Sequence, residues 1–441
     1  MTEIAHKIEL VPNNKQKTYF RKAFGCARLA YNWGLAEWQR RYKEGEKVDA
    51  YGLKKAFNAI KKEQFPFVAE VTKYATQQPF LNLGKAFRKF FDDLKKGSVS
   101  YPQFKKKKDN EGSFYIGGDQ VSLSYTNKNS KAFNKLAHNE KLKHQYLKVP
   151  SLGWVKMTES VRFDGHINGV VISQSGDKYF ASFCMRITEE EYKRTHPNVS
   201  SEKNGKAGID LGIKSALILS DGVAIENPKP LKKNLRRIKR LSRQLSKREH
   251  ARTKQERLDG KKKSNNYKKL SVKLSNAQRK VASIRRDFTQ KVTTILATHY
   301  TQIALEDLNV KGMVRNHRLA QSVSDVSFGE LVRQMEYKSA LNGVTVKKAD
   351  RFYPSSKTCS VCGNVKTNLK LSDRIYRCDK CGVVIDRDYN ASLNLLGLLV
   401  NHQIGAGYPE STPEDLTALL SRFARNGIAT SKVETGRQRK L

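Results

Sequence analysis

The sequence predicts a multidomain α+β protein. A β-domain takes in an inserted helical block, and an α/β segment split by insertions follows, closed by a four-cysteine ribbon. Three observations predict this. Alternating apolar and polar runs flank the helical stretch, at residues 4–11 (IAHKIELV) and again through residues 111–187 (VSLSY, LKVPSLGWVKM, GVVISQSGDKYFASFCMRI). Acids interrupt or end short apolar runs far apart in the chain: Asp210 in AGIDLGI, Glu306 and Asp307 after IAL, and Asp386 and Asp388 after VVI. Four cysteines form two C-x2-C pairs, Cys359 with Cys362 and Cys378 with Cys381, fifteen residues apart.

At 441 residues the chain has room for two or three domains. Lys and Arg number 84 against 42 Asp and Glu, a formal net charge of +42 spread over the whole length. A compact state with that charge repels itself unless a polyanion neutralises it, so nucleic acid is the expected partner and binding should be salt-sensitive. A small basic packing protein would lack the mixed α/β pattern and the scattered acids. The N-terminus, MTEIAHKIELVPNN, has no apolar core of a signal peptide. No run approaches the ~18 apolar residues of a membrane span. The expectation is a cytoplasmic, nucleoid-associated protein of a bacterium or archaeon. Cys26 and Cys184 stand alone in apolar contexts and read as buried thiols.

Taken in order, residues 4–11 end at Pro12, which suggests an edge strand. Phe20, Phe24, Ala27, Ala30, Tyr31, Leu35 and Trp38 then recur at helical steps. Residues 51–62 and 73–95 also read as helices. The second carries Phe80, Leu83, Phe87, Phe90, Phe91 and Leu94, a stripe better explained as bundle core than as a base-stacking surface. Lys85, Arg88 and Lys89 on its other face suit phosphate contacts, as do Lys105 and Lys106 in the basic run that follows. Residues 111–190 read as an antiparallel barrel or sandwich that the first strand joins, and 191–205 as a polar linker.

In the second half, AGIDLGI is a strand and SALILSDG its hairpin partner, turning at Asp221-Gly222. Residues 231–298 are a basic helical pair broken near 260–266. Leu235, Ile238, Leu241 and Leu245 mark the seam of one helix, and Leu270, Leu274, Ala277, Val281, Ile284, Phe288 and Ile295 that of the other. Arg236 and Arg240 lie on its basic surface, which reads as facing nucleic acid. Residues 302–308 hold a short buried strand, 327–342 a helix and 343–349 a strand. The last forty residues, 401–441, are polar and turn-rich and are expected to be disordered.

The cysteine spacing is that of a structural zinc site: each pair curls two thiolates toward one ion, and no ligand position stays open. Gly363 and Gly382 follow the second cysteine of each pair, where a tight knuckle favours a residue tolerant of positive φ. Two disulfides are the competing explanation, at odds with a chain lacking a secretion signal.

A carboxylate in an apolar strand is costly unless it is paired or bound to a metal, which makes Asp210 a candidate site residue. The pattern alone leaves Glu306 against Asp307 open, because strand alternation turns only one inward. It also leaves Asp386 against Asp388 open, since either can cap the following helix. Three such acids suit two divalent ions ~3.5–4 Å apart. Magnesium or manganese fits, the donors being hard carboxylates with no His nearby. The matching reaction is phosphodiester hydrolysis, one ion activating a water and the other stabilising the leaving 3′ oxygen.

The segments GIDLG, LEDLNVKGM and CSVCG…CDKCG…DRDYNASLNL resemble the TnpB family of insertion-sequence proteins, compact ancestors of the type V CRISPR effectors. The resemblance runs through residues 207–397 and extends over 1–200, where ARLAYNWGL and the element order agree. It implies a wedge β-barrel from residues 1–14 and 111–190, with a helical recognition domain at 15–110. It implies a RuvC nuclease of ribonuclease H-like fold at 206–355 and 383–400, with the zinc ribbon, 356–382, binding target nucleic acid. It selects Asp210, Glu306 and Asp388 as the acid set. It implies an RNA-guided endonuclease that binds a guide RNA from the transposon end, reads a short target-adjacent motif and cuts both strands of double-stranded DNA at one site. A transposase encoded nearby is an associated protein with no direct contact expected. The alternatives are a small CRISPR effector of the same lineage, a cleavage-independent DNA-binding protein, and a transposase acting directly, for which no HUH pair with a tyrosine is present.

Overall fold

Pro12 has no amide proton to extend a ladder, and Asn13 begins a helix, so the first two elements meet there. The structure, a computed structural model of the chain, describes residues 2–97, 100–107, 110–124, 145–196, 205–250, 253, 263–370, 372–400 and 413–433. It divides into two units, Met1–His196 with Arg243–Asn276, and Pro197–Ser242 with Ala277–Leu441. The middle of the expected basic hairpin thus groups with the first unit rather than with the segment around it.

In the first unit, β1 (Thr2–Val11) leads into α1 (Asn14–Lys43), which Asn13 and Gln16 start with a reciprocal capping box. Helices α2 (Ala50–Gln64) and α3 (Lys73–Lys95) pack on α1. Six more strands follow: β2 (Glu111–Gly117), β3 (Ser122–Ser124), β4 (Tyr146–Val149), β5 (Gly153–Met157), β6 (His166–Ser175) and β7 (Lys178–Ile187). They form one antiparallel sheet in the order β2-β6-β7-β1-β5-β4-β3.

β1 is therefore an interior strand, paired with β7 from Thr2 to Leu10 and with β5 at Leu10 and Val11, not the expected edge strand. Pro12 ends it; it does not flank it. The edge strands β2 and β3 are joined through residues 118–121 alone. Laid flat, their separation would be roughly 29 Å at ~4.8 Å per strand, beyond the ~18 Å reach of that connection. The sheet must curl until its two edges approach, as a barrel requires.

The helical core holds Phe80, Leu83 and Phe87, with Trp38 stacked on Phe87 at 3.9 Å. The stripe expected as core is only half so: Phe91 is 43% and Leu94 50% exposed. The expected linker also starts late, because α4 (Glu189–Thr195) is capped by the Thr188 side chain.

The second unit carries β8 (Lys206–Leu211), β9 (Ser215–Leu219) and β10 (Val223–Glu226), an antiparallel meander. Gly222, at φ +80°, makes the expected turn between the last two. Helices α5 (Pro230–His250) and α6 (Asn265–His299) lead to β11 (Gln302–Leu305), parallel to β8. Helices α7 (Val310–Arg315), α8 (Ala320–Val326) and α9 (Phe328–Leu341) lead to β12 (Thr345–Lys348), parallel to β11. The ribbon strands β13 (Ile375–Arg377) and β14 (Val384–Asp386) pair with each other, and α10 (Arg387–Gly397) follows at once. From Ala207 to Leu211, β8 is buried without alternation, as a strand covered on both faces must be.

The tail is a correction. Residues 413–432 were expected to be disordered, yet α11 (Pro413–Arg425) and β15 (Thr430–Lys432) complete the second sheet, in the order β12-β11-β8-β9-β10-β15. Leu419, Phe423 and Ile428 enter its core beside Leu217, Val223 and Leu296. The rest of that expectation, at 401–412 and 434–441, lies outside the described residues. Among the described residues no helix is long and apolar enough to cross a membrane.

Candidate active site and metal centre

The parallel pair β8 and β11 places two acids side by side. Leu305 is in register with Ile209, so the next residues, Glu306 and Asp210, emerge at neighbouring positions of the same sheet face. Asp307 turns the other way and is held by Arg351, at 3.0 Å from Nε and 2.6 Å from Nη2. The strand pattern left Glu306 and Asp307 open and the family resemblance selected Glu306; the register puts that residue beside Asp210.

The third acid comes from α10. Asp386 is its N-cap, accepting from the backbone N–H of Asp388 at 3.0 Å and of Tyr389 at 2.9 Å. Asp386 is occupied as the cap, while the charge of Asp388 acts on both Asp210 and Glu306. Gly208 lets this happen. A Cβ there would lie 2.0 Å from the Ser392 carbonyl oxygen and 2.3 Å from the Leu396 nitrogen, so α10 crosses β8 with backbone against backbone.

The three carboxyls stand in one another's field. Burial pushes Asp210 well above the ordinary carboxylate range, the charges of Glu306 and Asp388 add to this, and Arg387 opposes it. Burial raises Glu306 as well, and Asp210 lies within its hydrogen-bonding reach. Asp388 is raised by burial and by Asp386, against Arg387, Arg374 and Lys214. Ser355 Oγ donates to Glu306 Oε1 at 2.6 Å, and Arg374 lies 3.7 Å from Asp388. A cluster of raised carboxyls is relieved by a multivalent cation, and hard oxygen donors suit magnesium or manganese.

The four cysteines converge. Cys359 and Cys381 sulfurs are 3.6 Å apart, and those of Cys362 and Cys378 are 3.5 Å apart. A disulfide needs ~2.05 Å. Four sulfurs at ~2.3 Å from one ion stand ~3.8 Å apart, close to what is found. Among the described residues these cysteines alone bring three or more such ligand atoms within 4.8 Å of one another. Asp210, Glu306 and Asp388 do not meet that criterion. The knuckles are alike. Gly363 and Gly382, at φ +72° and +71°, donate to the carbonyls of Cys359 and Cys378, whose own N–H groups reach the Asn364 and Val383 carbonyls. Burial alone would raise the Cys378 thiol, but backbone N–H groups of Cys381 and Lys380 hold it down to about 7, while burial raises Cys359 and Cys381. Cys26 and Cys184 are free thiols, the first buried, the second partly so.

Sequence reasoning missed the clamp between ribbon and α10. Asn390 donates to the Thr358 carbonyl at 2.7 Å and accepts from the Ser360 N–H at 3.0 Å. Asn394 donates to the carbonyls of Ser355 at 2.7 Å and Thr358 at 2.6 Å. Two asparagines one turn apart on an otherwise apolar helix face were the available signal. Of the cations expected to meet nucleic acid, Lys85, Arg88, Lys89, Lys106, Arg236 and Arg240 are exposed. Lys105 is exposed too, with its ammonium over the Tyr31 ring at 4.0 Å and its backbone exchanging hydrogen bonds with the Asn32 amide.

Three family models match the chain: a helix-turn-helix domain over residues 1–47, a "Probable transposase" over 182–317 and a "Cas12f1-like, TNB domain" over 328–395. The first covers one strand and one long helix here. A "Putative RNA-guided DNA endonuclease" of Streptomyces pristinaespiralis is 30% identical over 395 residues, 89% of this chain and 88% of that protein. "Putative RNA-guided DNA endonuclease InsQ" of Escherichia coli (strain K12) is 28% identical over 89% of this chain and 91% of its own. A solved Cas12f1-sgRNA-target DNA complex is similar over 85% of this chain and 81% of that one, at TM-score 0.46 and 15% identity. Nearly end-to-end matches to proteins of one kind, together with a TnpB-like protein of Acanthamoeba polyphaga mimivirus 28% identical over half of this chain, place the chain in the TnpB family.

Proposed function

We propose that the chain is a transposon-associated, RNA-guided DNA endonuclease whose single RuvC-type site is built from Asp210, Glu306 and Asp388. The convergence of these acids carries the reading. They come from three segments far apart in sequence and meet at the ends of two parallel strands and the start of one helix. The sheet order supports it, since a three-strand antiparallel meander with two parallel strands added beside its first is the ribonuclease H-like arrangement. Two divalent ions bound there would activate a water and stabilise the leaving 3′ oxygen of a phosphodiester. Asp210, which is buried, would hold metal together with Glu306 and Asp388. Arg374 and Lys214 sit at the Asp388 side, where an incoming phosphate would meet positive charge.

The four cysteines hold a structural zinc in this reading, and the ribbon binds target nucleic acid. The net charge of +42 is the counterpart of a guide RNA and a target duplex. The curled sheet and three helices of the first unit act as wedge and recognition domains. A groove of about 910 Å³ there, lined by Arg28, Gln78, Asn82, Gln103 and Lys106, presents the amide and guanidinium groups that read base edges.

The test is to purify the protein from cells carrying its native flanking DNA and sequence the RNA bound to it. One abundant RNA ending at the transposon boundary is expected. With it, the wild type should cut matched DNA in magnesium and Asp210→Ala should not. Short RNAs sharing a repeat would point to a CRISPR effector. Equal cutting by Asp210→Ala would refute the site.

A further inference from the structure

Glu306 stands one residue beyond the end of β11, where the ladder has stopped; its neighbour Leu305 makes the last strand-end contact, accepting from the Ala349 N–H at 2.8 Å. A glutamate there has three side-chain torsions and no strand to fix them. The loop after β12 supplies the missing restraint. Ser355, 4% exposed, donates its hydroxyl to Glu306 Oε1 at 2.6 Å.

Ser355 is itself held at both backbone ends. Its N–H reaches the Tyr353 carbonyl at 2.8 Å, and its carbonyl accepts from Asn394 at 2.7 Å. Asn394 also grips Thr358, the residue before the first zinc-pattern cysteine, and lies on the helix that carries Asp388. One loop therefore touches Glu306 at one point and the helix of Asp388 at another. We infer that Ser355 is a positioning residue: its hydroxyl orients Glu306 so that this carboxylate and Asp388 meet a divalent cation in fixed geometry. The inference rests on the acid set proposed above and adds a residue outside it.

Ser355→Ala isolates the hydroxyl, because both backbone contacts survive. The zinc-loaded full chain, free of nucleic acid, is titrated with Mn²⁺ and free Mn²⁺ is read by electron paramagnetic resonance. Losing one hydrogen bond to a charged group should weaken Mn²⁺ binding about tenfold in Ser355→Ala. Ser355→Thr, which keeps the hydroxyl, should stay within about threefold of wild type. In the guide-RNA complex the magnesium concentration for half-maximal cutting should rise by the same factor, with DNA affinity unchanged. Wild-type Mn²⁺ affinity in Ser355→Ala overturns the inference. So does loss of zinc from Ser355→Ala, or a Ser355→Thr chain as weak as Ser355→Ala. Glu306→Gln separates the two levels. If it binds Mn²⁺ like wild type, the acid set is wrong; if it fails while Ser355→Ala does not, only the role of Ser355 falls.

Discussion

Replacing Gly208 by Ala tests the contact that brings α10 to β8. The new methyl would lie 2.0 Å from the Ser392 carbonyl oxygen, 2.3 Å from the Leu396 nitrogen and 3.0 Å from the Leu395 carbonyl carbon. All three are backbone atoms, so no side chain can swing aside. Ordinary contact begins near 3.4 Å, leaving a deficit of about 1.4 Å that strand or helix must absorb. Ser392 and Leu395 are fully buried, so α10 has no empty space behind it. Overpacking of this kind costs about 3 kcal/mol, which lowers the melting temperature of a unit this size by roughly 6–12 °C. The helix moves with Asp388 at its first turn, and a displacement of about 1 Å in a reacting group costs roughly 100-fold in rate. Calorimetry on the zinc-loaded chain reads the first effect. Cutting of guide-matched DNA, well below the melting range, reads the second. If Gly208→Ala melts within about 2 °C of wild type and cuts within about twofold, close packing of α10 on β8 does not set the geometry of the acids.

Three further predictions follow from single contacts. Asp307→Asn removes the partner of Arg351 at an exposed ion pair and should leave cutting within about threefold of wild type, whereas Glu306→Gln should abolish it; the reverse ranking would mean the wrong acid has been assigned. Ending the chain at residue 412 removes Leu419, Phe423 and Ile428 from the core, at ~1.5–3 kcal/mol each, and should leave the second unit unfolded or nearly so by circular dichroism. Lys338 is pushed down to about 7 by burial, though its ammonium meets three acceptors, Gln290 O, Thr293 Oγ1 and Thr294 Oγ1, at 2.7–2.9 Å. Unfolded, it titrates near 10.4, so between about pH 7 and 10 the unfolded chain binds more protons and this group's penalty fades as pH rises. Lys338→Met should therefore stabilise the chain at pH 6, by at most about 5 kcal/mol, and progressively less toward pH 9.5; a pH-independent effect on melting would contradict this.

What was legible in the sequence follows from the range of the interactions involved. The four-cysteine cluster was readable because each knuckle is local: the glycine, the two thiols and the turn lie within five residues, and chain geometry fixes them. The meander β8-β9-β10 was readable for the same reason, its turn marked by Asp221-Gly222. β1 was misjudged because the sequence around Pro12 shows where a strand ends and nothing about what lies beside it. Strands β7 and β5, which enclose it, arrive more than 140 residues later. The tail was misjudged because Leu419, Phe423 and Ile428 are sparse apolar residues in a polar stretch, and only the open edge of β10 gives them a place.

The acids show the boundary most clearly. Asp210 was visible because a charge inside an apolar strand is anomalous in its own neighbourhood. Glu306 over Asp307, and Asp388 over Asp386, came only from the family resemblance; the residue pattern left both pairs open, because the difference within each pair lies in its partners. The first choice turns on the register of β11 against β8, set by which residues pack beneath both strands. The second turns on which aspartate the helix uses as its cap, and a cap is decided by where α10 starts. Next to that cap, Asn390 and Asn394 tie α10 to Thr358, a residue thirty positions before Asp388. The segment 355–360 thus bonds to Glu306 through the Ser355 hydroxyl and to α10 through Asn390 and Asn394.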